Sequence, residues 1–167
     1  MMNLFPANEV ILLNNDTQVK PNWLVELHRA AYANKSIGIA GSKILYPDGR
    51  LQEFGAMLYE QGHGQNIGKG DDPEKADYQT PNLAGYVSGC AMYIKRSTIE
   101  KIGVFDEQFH PCYYEDSDYC YTAAEQGLKT IVTPHSQIYH EEGATAGQDT
   151  NTGFKRYQTI NLSLIHI

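Results

Sequence analysis

The stretch EVILLNNDTQVKPNWLVELHRAAYANKSIGIAG, residues 9–41, decides the fold class. It begins with an apolar run at Glu9–Leu13, typical of a buried strand, and continues into the turn-forming residues Asn14–Thr17. Apolar residues then recur at helical spacing in Asn22–Asn34, and a second strand pattern follows at Ile37–Ala40. This order of strand, turn, helix and strand predicts an α/β protein built in layers around a sheet.

The remainder of the chain carries further strand and helix patterns separated by two polar segments. The predicted elements are a hairpin of Ser42–Tyr46 and Leu51–Gly55 around the turn Pro47-Asp48-Gly49, a strand at Tyr86–Ile94, helices at Ser97–Ile102 and Glu115–Gln126, and strands at Lys129–Thr133 and Gln137–His140. Residues 60–82 and 143–153 are rich in Gly, Asn and Asp. We expect them to be long mobile loops.

Composition and charge exclude several classes of protein. The 167 residues are 41% hydrophobic and 20% charged, as in an ordinary globular domain. With 13 basic and 20 acidic residues the net charge is −7, so nucleic acid is excluded as the main partner. The longest apolar run, Val10–Leu13, is far too short to span a membrane. The cysteines Cys90, Cys112 and Cys120 have no C-x-x-C spacing, which favours reduced thiols in a cytoplasm over a disulfide or zinc scaffold.

Asn14 and Asp16 are the first candidates for ligand binding, because they follow a predicted buried strand. In an extended segment residues i and i+2 point the same way, so their oxygens could converge on Mg²⁺ or Mn²⁺ carrying substrate phosphates. The crevice beyond the carboxyl ends of strands is where α/β sheets bind ligands. Asn-Asn-Asp-Thr is equally good turn and helix-capping material, and both interpretations stay open here.

A second candidate is the group of three carboxylates, Glu115, Asp116 and Asp118, at the start of a predicted helix. Acids there can cap free N–H groups and complement the helix dipole. Three crowded acids exceed that need, and their repulsion is expected to raise the pKa of at least one of them. A carboxylate with a raised pKa suits a general base.

Two single residues complete the candidates. His140 closes a predicted strand before a Gly-containing segment, so it could be a metal ligand or a satisfied core residue. Cys90 lies in an apolar segment without a histidine at any recognisable spacing, and we expect it to be a small buried residue rather than a nucleophile.

Seven motifs occur in a specific order between about residue 9 and residue 147. They are Leu12–Thr17, Pro21-x-Trp23-Leu24, Leu45–Gln52, Val87–Met92, Ile102–Glu107, Tyr114–Asp118 and Tyr139-His140-x-x-Gly143. In this order they resemble family 2 glycosyltransferases of the GT-A fold, especially the rhamnosyltransferase type. The resemblance implies a Rossmann-like α/β GT-A fold with an incomplete mixed sheet flanked by helices.

The resemblance also implies a divalent metal, Mg²⁺ or Mn²⁺, on the diphosphate of a nucleotide-sugar donor. Asp16 matches the last position of the family's D-x-D motif, which holds that metal. Asn14 takes the first position, where many members have Asp, and would contact the metal or the sugar nucleotide with one charge less. His140 matches a histidine that completes the metal site in some members.

The implied reaction is an inverting transfer of the sugar to a hydroxyl of a glycan or lipid-linked acceptor. Asp116 matches the catalytic base, Glu115 is expected to position the acceptor side, and Gly89 borders the acceptor pocket. Such acceptors imply a cytoplasmic enzyme attached peripherally to the inner face of the cytoplasmic membrane.

The resemblance further implies a domain organisation. Residues 1–161 are expected to be the C-terminal metal and acceptor portion of one GT-A domain, without roughly 80 to 100 residues of the nucleotide-binding half. Poor donor binding and an exposed apolar sheet edge follow from that expectation. Leu162–Ile167 resembles the translation of a sequencing adapter and is set aside, the alternative being the first turns of a helix.

Two other functions remain open for this sequence. One is a non-catalytic carbohydrate-binding remnant that keeps the pocket. The other is a metal-dependent phosphoesterase, for which Asp16 and His140 supply fewer ligands than such sites usually have.

Overall fold

A computed structural model describes residues 8–59, 63–141 and 156–162. The strands are Val10–Leu13 (β1), Thr17–Val19 (β2), Ile37–Leu45 (β3), Leu51–Glu53 (β4), Ala56–Leu58 (β5), Gly64–Asn66 (β6), Asn82–Ala84 (β7), Ala91–Ile94 (β8) and Lys129–His140 (β9). The α-helices are Trp23–Tyr32 (α1), Arg96–Ile102 (α2), Glu115–Glu125 (α3) and Arg156–Leu162 (α4).

Seven of the strands form one mixed sheet. Its main order is β1-β8-β3-β9-β2, with β4 added to β3 and β7 added to β9. Strands β3 and β9 run parallel, whereas β1 and β3 both pair antiparallel with β8, and β2 pairs antiparallel with β9. The expectation of an α/β mixed sheet is therefore confirmed.

Helices cover both faces of the sheet. Leu27, Ala30 and Ala31 of α1 pack on one face, beside Ala40 of β3. Residues of α3 pack on the other face, where Ile39 of β3 points. Because neighbouring residues of a strand face opposite sides, this arrangement buries every residue of β3.

Two predicted boundaries between strands were wrong, because in each case two predicted strands form one long strand. The predicted strand at Ile37–Ala40 and the first arm of the hairpin form the single strand β3. The last two predicted strands form β9, where the register shifts between Thr133 and Gln137. This irregularity accommodates Pro134, which has no N–H to contribute to the ladder.

The predicted strand Tyr86–Ile94 is also shorter than expected. Only Ala91–Ile94 forms β8, and Tyr86 pairs with Ala56 as an isolated bridge. Between them the chain turns at Gly89 and Cys90.

Residues 63–82 contain regular structure, so the expectation of one long loop was wrong for this part. Strand β6 pairs with β5, and a 3-10 turn forms at Ala76–Tyr78. The fully buried Lys43 donates hydrogen bonds to the carbonyls of Pro73 and Tyr78, which fastens the segment to β3. Residues 60–62 and the predicted loop from residue 143 to 153 lie outside the described residues.

Helix α4 crosses the predicted boundary between residues 161 and 162, and residues 163–167 lie outside the described part. In the three described ranges, no helix is both long enough and apolar enough to cross a membrane.

Strand β1 ends the sheet and presents an apolar edge. Within the described ranges no strand pairs with its outer side, and Ile11 and Leu13 are 37% and 43% exposed. Unpaired backbone groups beside apolar side chains favour pairing with another chain. We expect Leu13→Lys to weaken self-association about tenfold, a change of about 1.4 kcal/mol, as measured by sedimentation velocity.

The control for this substitution is Leu24→Lys. Leu24 is exposed to a similar extent, 41%, but lies on α1 and not on a sheet edge. Equal weakening by both substitutions would show that added charge, and not the strand edge, governs association.

Candidate active site

A large cleft of about 1540 Å³ opens at the end of the sheet where β1 and β9 end and α3 begins. Its lining includes all six site residues predicted from the sequence, namely Asn14, Asp16, Gly89, Glu115, Asp116 and His140. These residues come from four separate segments of the chain, and the fold brings them to one place.

Backbone pairing places Asp16 beside His140. Thr17 lies opposite His140 in the ladder between β2 and β9, and the N–H of Glu141 donates to the carbonyl of Asp16 at 3.1 Å. The His140 Nε2 and Asp16 Oδ1 atoms are 3.3 Å apart, and each side chain is only 14% exposed.

Gln52 on β4 fixes the orientation of the His140 ring. Its Oε1 lies 2.8 Å from His140 Nδ1, while its Nε2 lies 3.4 Å from the His140 carbonyl oxygen. Because an amide oxygen only accepts hydrogen bonds, Nδ1 carries the proton and donates. In the neutral ring the lone pair of Nε2 therefore faces Asp16, the arrangement found in metal-binding histidines.

The pair of Asp16 and His140 fits a divalent cation that brings other ligands with it. Asp16 Oδ1 is buried without a hydrogen-bond partner, which is costly for a carboxylate oxygen and is relieved by a cation. Among the described residues, no group of three or more His, Cys, Asp or Glu could hold a metal. Mg²⁺ is commonly bound by one or two carboxylates together with substrate phosphates and water.

Asn14 reaches the cleft by a different route from the one expected. The chain is not extended from Asn14 to Asp16, since it turns at Asn15 and Asp16 between β1 and β2. The hydroxyl of Thr17 donates to the Asn14 carbonyl at 2.6 Å and stabilises this turn. The turn interpretation is thus confirmed, and the prediction that alternation along a strand aligns Asn14 with Asp16 was wrong.

Asp116 is held by two backbone donors at the start of α3. The N–H of Gly89 donates to Oδ2 at 3.0 Å, and the N–H of Ser117 donates to Oδ1 at 2.7 Å. Burial raises the pKa of Asp116 above its ordinary value, and the two donors oppose that rise. A Cβ at Gly89 would make ordinary contacts, so its contribution here is the N–H rather than its small size.

Glu115 is the less satisfied member of the pair. Its Oε2 is buried without a hydrogen-bond partner. Burial, followed by repulsion from Asp116, raises the pKa of Glu115 to about 7. The expected rise in pKa within the acidic cluster is confirmed, with burial as its larger cause. Two N–H donors stabilise the ionised form of Asp116, whereas the buried Oε2 of Glu115 has no hydrogen-bond donor.

The third acid of the cluster lies apart from this pair. Asp118 is not among the residues that line the cleft, and its charge neighbours are Asp106 and Glu125. Because Asp118 lies in the first turn of α3, its negative charge complements the helix dipole.

Burial raises the pKa of the Cys90 thiol far above its usual range, so a thiolate nucleophile is excluded at neutral pH. The expectation of a small buried residue is confirmed. Sequence reasoning missed Glu53, which is buried and accepts a hydrogen bond from the N–H of Ser88 at 3.0 Å, beside Gly89. Its only local signal is a charged residue in an otherwise strand-like segment.

The comparisons with known proteins divide into sequence relatives and a structural neighbour. No family model matches the chain. It is 30% identical over 149 residues to an uncharacterised protein of Sinorhizobium fredii and 29% identical over 147 residues to an O-antigen biosynthesis protein of Myxococcus xanthus. It is 26% identical over 151 residues to N-acetylglucosaminyl-diphospho-decaprenol L-rhamnosyltransferase of Mycobacterium tuberculosis.

Each alignment covers 84% of this chain but only 16%, 11% and 49% of the three relatives, so the chain spans less than half of each. The crystal structure of GalNAc-T7 with UDP, GalNAc and Mn²⁺ superposes with a TM-score of 0.64. That superposition covers 93% of this chain and 31% of the neighbour at 14% identity, which shows a shared fold.

Proposed function

We propose that this chain is a family 2-like glycosyltransferase of the GT-A fold and that it forms the metal- and acceptor-binding side of a sugar-transfer site. The observation that carries the proposal is the shared cleft. It holds Asp16 and His140, suited to a cation, together with Glu115 and Asp116, suited to proton transfer. Residues 1–161 would be that portion of a single GT-A domain.

The proposed reaction is a single displacement with inversion at the sugar. An acceptor hydroxyl oxygen bonds to the anomeric carbon as the bond from that carbon to the diphosphate oxygen breaks. Asp116 takes the hydroxyl proton, and the nucleoside diphosphate departs with the electrons of the broken bond. The N–H donors of Gly89 and Ser117 orient the accepting carboxylate and stabilise its ionised form.

Asp16 and His140 would hold Mg²⁺ or Mn²⁺, and Asn14 would contact the cation or the nucleotide sugar from the same side of the cleft. A cation bound there supplies electrostatic stabilisation to the departing diphosphate. The protein's own contribution is a buried carboxylate and an imidazole whose free nitrogen is already oriented by Gln52.

The donor would be a nucleotide-diphosphate sugar, and the acceptor a glycan or a lipid-linked saccharide. The names of two relatives support this class, since one concerns O-antigen biosynthesis and the other a diphospho-decaprenol acceptor. The UDP, GalNAc and Mn²⁺ of the structural neighbour support the donor and the metal. An enzyme with such an acceptor would work at the inner face of the cytoplasmic membrane.

The direct test incubates the chain with Mn²⁺, a panel of nucleotide-diphosphate sugars and lipid-linked or glycan acceptors. Release of nucleoside diphosphate that requires both metal and acceptor supports transfer. Acceptor binding without any release would favour a carbohydrate-binding module. Metal-dependent hydrolysis of p-nitrophenyl phosphate would favour a phosphoesterase.

Gln52→Leu tests the orientation of His140 without relying on turnover. Removing the acceptor for Nδ1–H frees the ring to change tautomer, and loss of such a partner typically weakens metal binding about 10–100-fold. We expect that loss for Mn²⁺ measured by electron paramagnetic resonance titration in the presence of UDP. The matched variant Gln52→Glu keeps an acceptor and should retain affinity. Equal loss in both variants would contradict the orientation argument.

A further inference from the structure

The segment before α3 is fastened by one buried side chain from the far end of the chain. Asn161 on α4 is 2% exposed. Its Nδ2 lies 2.9 Å from the Phe109 carbonyl oxygen, 2.8 Å from that of Cys112 and 3.2 Å from that of Tyr113. The two N–H groups of one side-chain amide are thus shared among three carbonyls within five consecutive residues.

The fastened segment has an uncommon backbone conformation. Tyr113 and Tyr114 have φ values of 76° and 72°, in the left-handed region. Residues with side chains adopt this region rarely, and two in succession persist only where surrounding contacts hold them. Asn161 supplies such contacts to Tyr113 and to the residue before it.

The direction of the carboxylate pair follows from this turn. Tyr114 is the N-cap residue of α3, and its carbonyl accepts from the N–H of Asp118 at 2.9 Å and from the Ser117 hydroxyl at 3.0 Å. Glu115 and Asp116 come directly after it. A change in φ at Tyr113 or Tyr114 would swing the first turn of the helix and draw Asp116 away from the Gly89 N–H.

We propose that Asn161 is a positioning residue that holds the turn at Tyr113 and Tyr114 and thereby directs Glu115 and Asp116 into the cleft. The placement of the pair is a structural statement, and its catalytic consequence rests on the proposed function. Gln158, one helical turn earlier on α4, lines the same cleft, so α4 both borders the site and supports its acids. Asparagine suits this position because its amide nitrogen donates twice, whereas an aspartate would face three carbonyls with no donor.

Several other titratable groups lie near Glu115 and Asp116 and have to be considered when the protonation of this pair is measured. They are Glu53 on β4, Tyr86, Cys90, Cys112, Tyr114 and Cys120. Burial raises the pKa of each of these tyrosines and cysteines, so they remain protonated at neutral pH. These tyrosines and cysteines therefore do not contribute to amide signals that titrate near neutral pH beside Asp116.

Nuclear magnetic resonance of the full chain tests the proposal without turnover. The amide protons of Gly89 and Ser117 donate to Asp116 and shift as the pair titrates. In Asn161→Ala we expect the pH-dependent shift of the Gly89 amide to be lost. The midpoint at Ser117 should fall by about one pH unit or more, because the released carboxylates gain solvent. The control is Ile160→Ala on the same helix, where the side chain is 53% exposed and both amides should titrate as in the unmodified chain.

A folded Asn161→Ala chain whose Gly89 amide titrates normally would overturn the proposal. If Asn161→Ala does not fold, Asn161→Ser carries the same test, since its single short donor cannot reach three carbonyls. Binding of Mn²⁺ and UDP should be unchanged in either variant. Failure of the unmodified chain to bind them would count against the proposed function and leave the result for Asn161 standing.

Discussion

Asp116→Asn should lower the rate of sugar transfer about 10²–10⁴-fold relative to the unmodified chain, because an amide cannot take the proton of the acceptor hydroxyl. The substitution keeps the size of the side chain, and its oxygen can still accept from one of the two backbone donors. Binding of Mn²⁺ and donor depends on other residues and should change little. The measurement is release of nucleoside diphosphate at saturating donor, with binding followed separately by calorimetry.

The matched control is Asp118→Asn, in the first turn of the same helix. This change removes the same charge from α3 but outside the cleft, so the rate should stay within a few-fold of the unmodified chain. A similar fall in both variants would indicate that helix charge, rather than a positioned base, accounts for the effect. An unchanged rate in Asp116→Asn would remove Asp116 from the mechanism.

The fold was predictable from the sequence because it depends on local patterns in a fixed order. The spacing of Leu27, Ala30 and Ala31 predicts α1, and the Pro47-Asp48-Gly49 turn predicts the hairpin that carries Gln52. The α/β class, the GT-A fold and the relationship to glycosyltransferases are confirmed by the sheet, the sequence relatives and the structural neighbour.

The supporting contacts of the site were not predictable in this way, because they join residues far apart in the chain. Gln52 and His140 are 88 positions apart, and Asn161 and Phe109 are 52 apart. No periodicity or turn signal links such pairs, since only the tertiary fold brings their elements together. The full length of β9 was not predictable for a related reason. A proline such as Pro134 usually marks the end of a strand, and only the pairing of β9 with β3 on both sides of Pro134 shows that the strand continues.

Glu115→Gln should stabilise the chain at pH 8 while leaving its stability near pH 4 unchanged. The pKa of Glu115 rises from the ordinary value of 4.5 to about 7 in the fold, with burial as the main cause. Between these values the folded chain binds a proton that the unfolded chain has released. The free energy of unfolding therefore falls as pH rises from 4.5 to 7 and stays at the lower level above it.

The magnitude follows from the size of the pKa difference. A shift of this size costs up to about 3 kcal/mol at pH 8, and a neutral glutamine carries no such cost. Urea unfolding followed by circular dichroism at a series of pH values between 4 and 8 measures the effect. The control Glu125→Gln changes an exposed acid at the other end of α3 and should retain the slope of the unmodified chain.

The two outcomes assign the proton within the pair. If the slope between pH 4.5 and 7 largely disappears in Glu115→Gln, then Glu115 holds the proton and leaves Asp116 ionised by its two N–H donors. If the slope persists, the proton resides on Asp116, which could then accept a hydroxyl proton only after losing its own. The rate of transfer would in that case rise with pH through the same range, so stability and turnover measured together identify which carboxylate is free to act as the base.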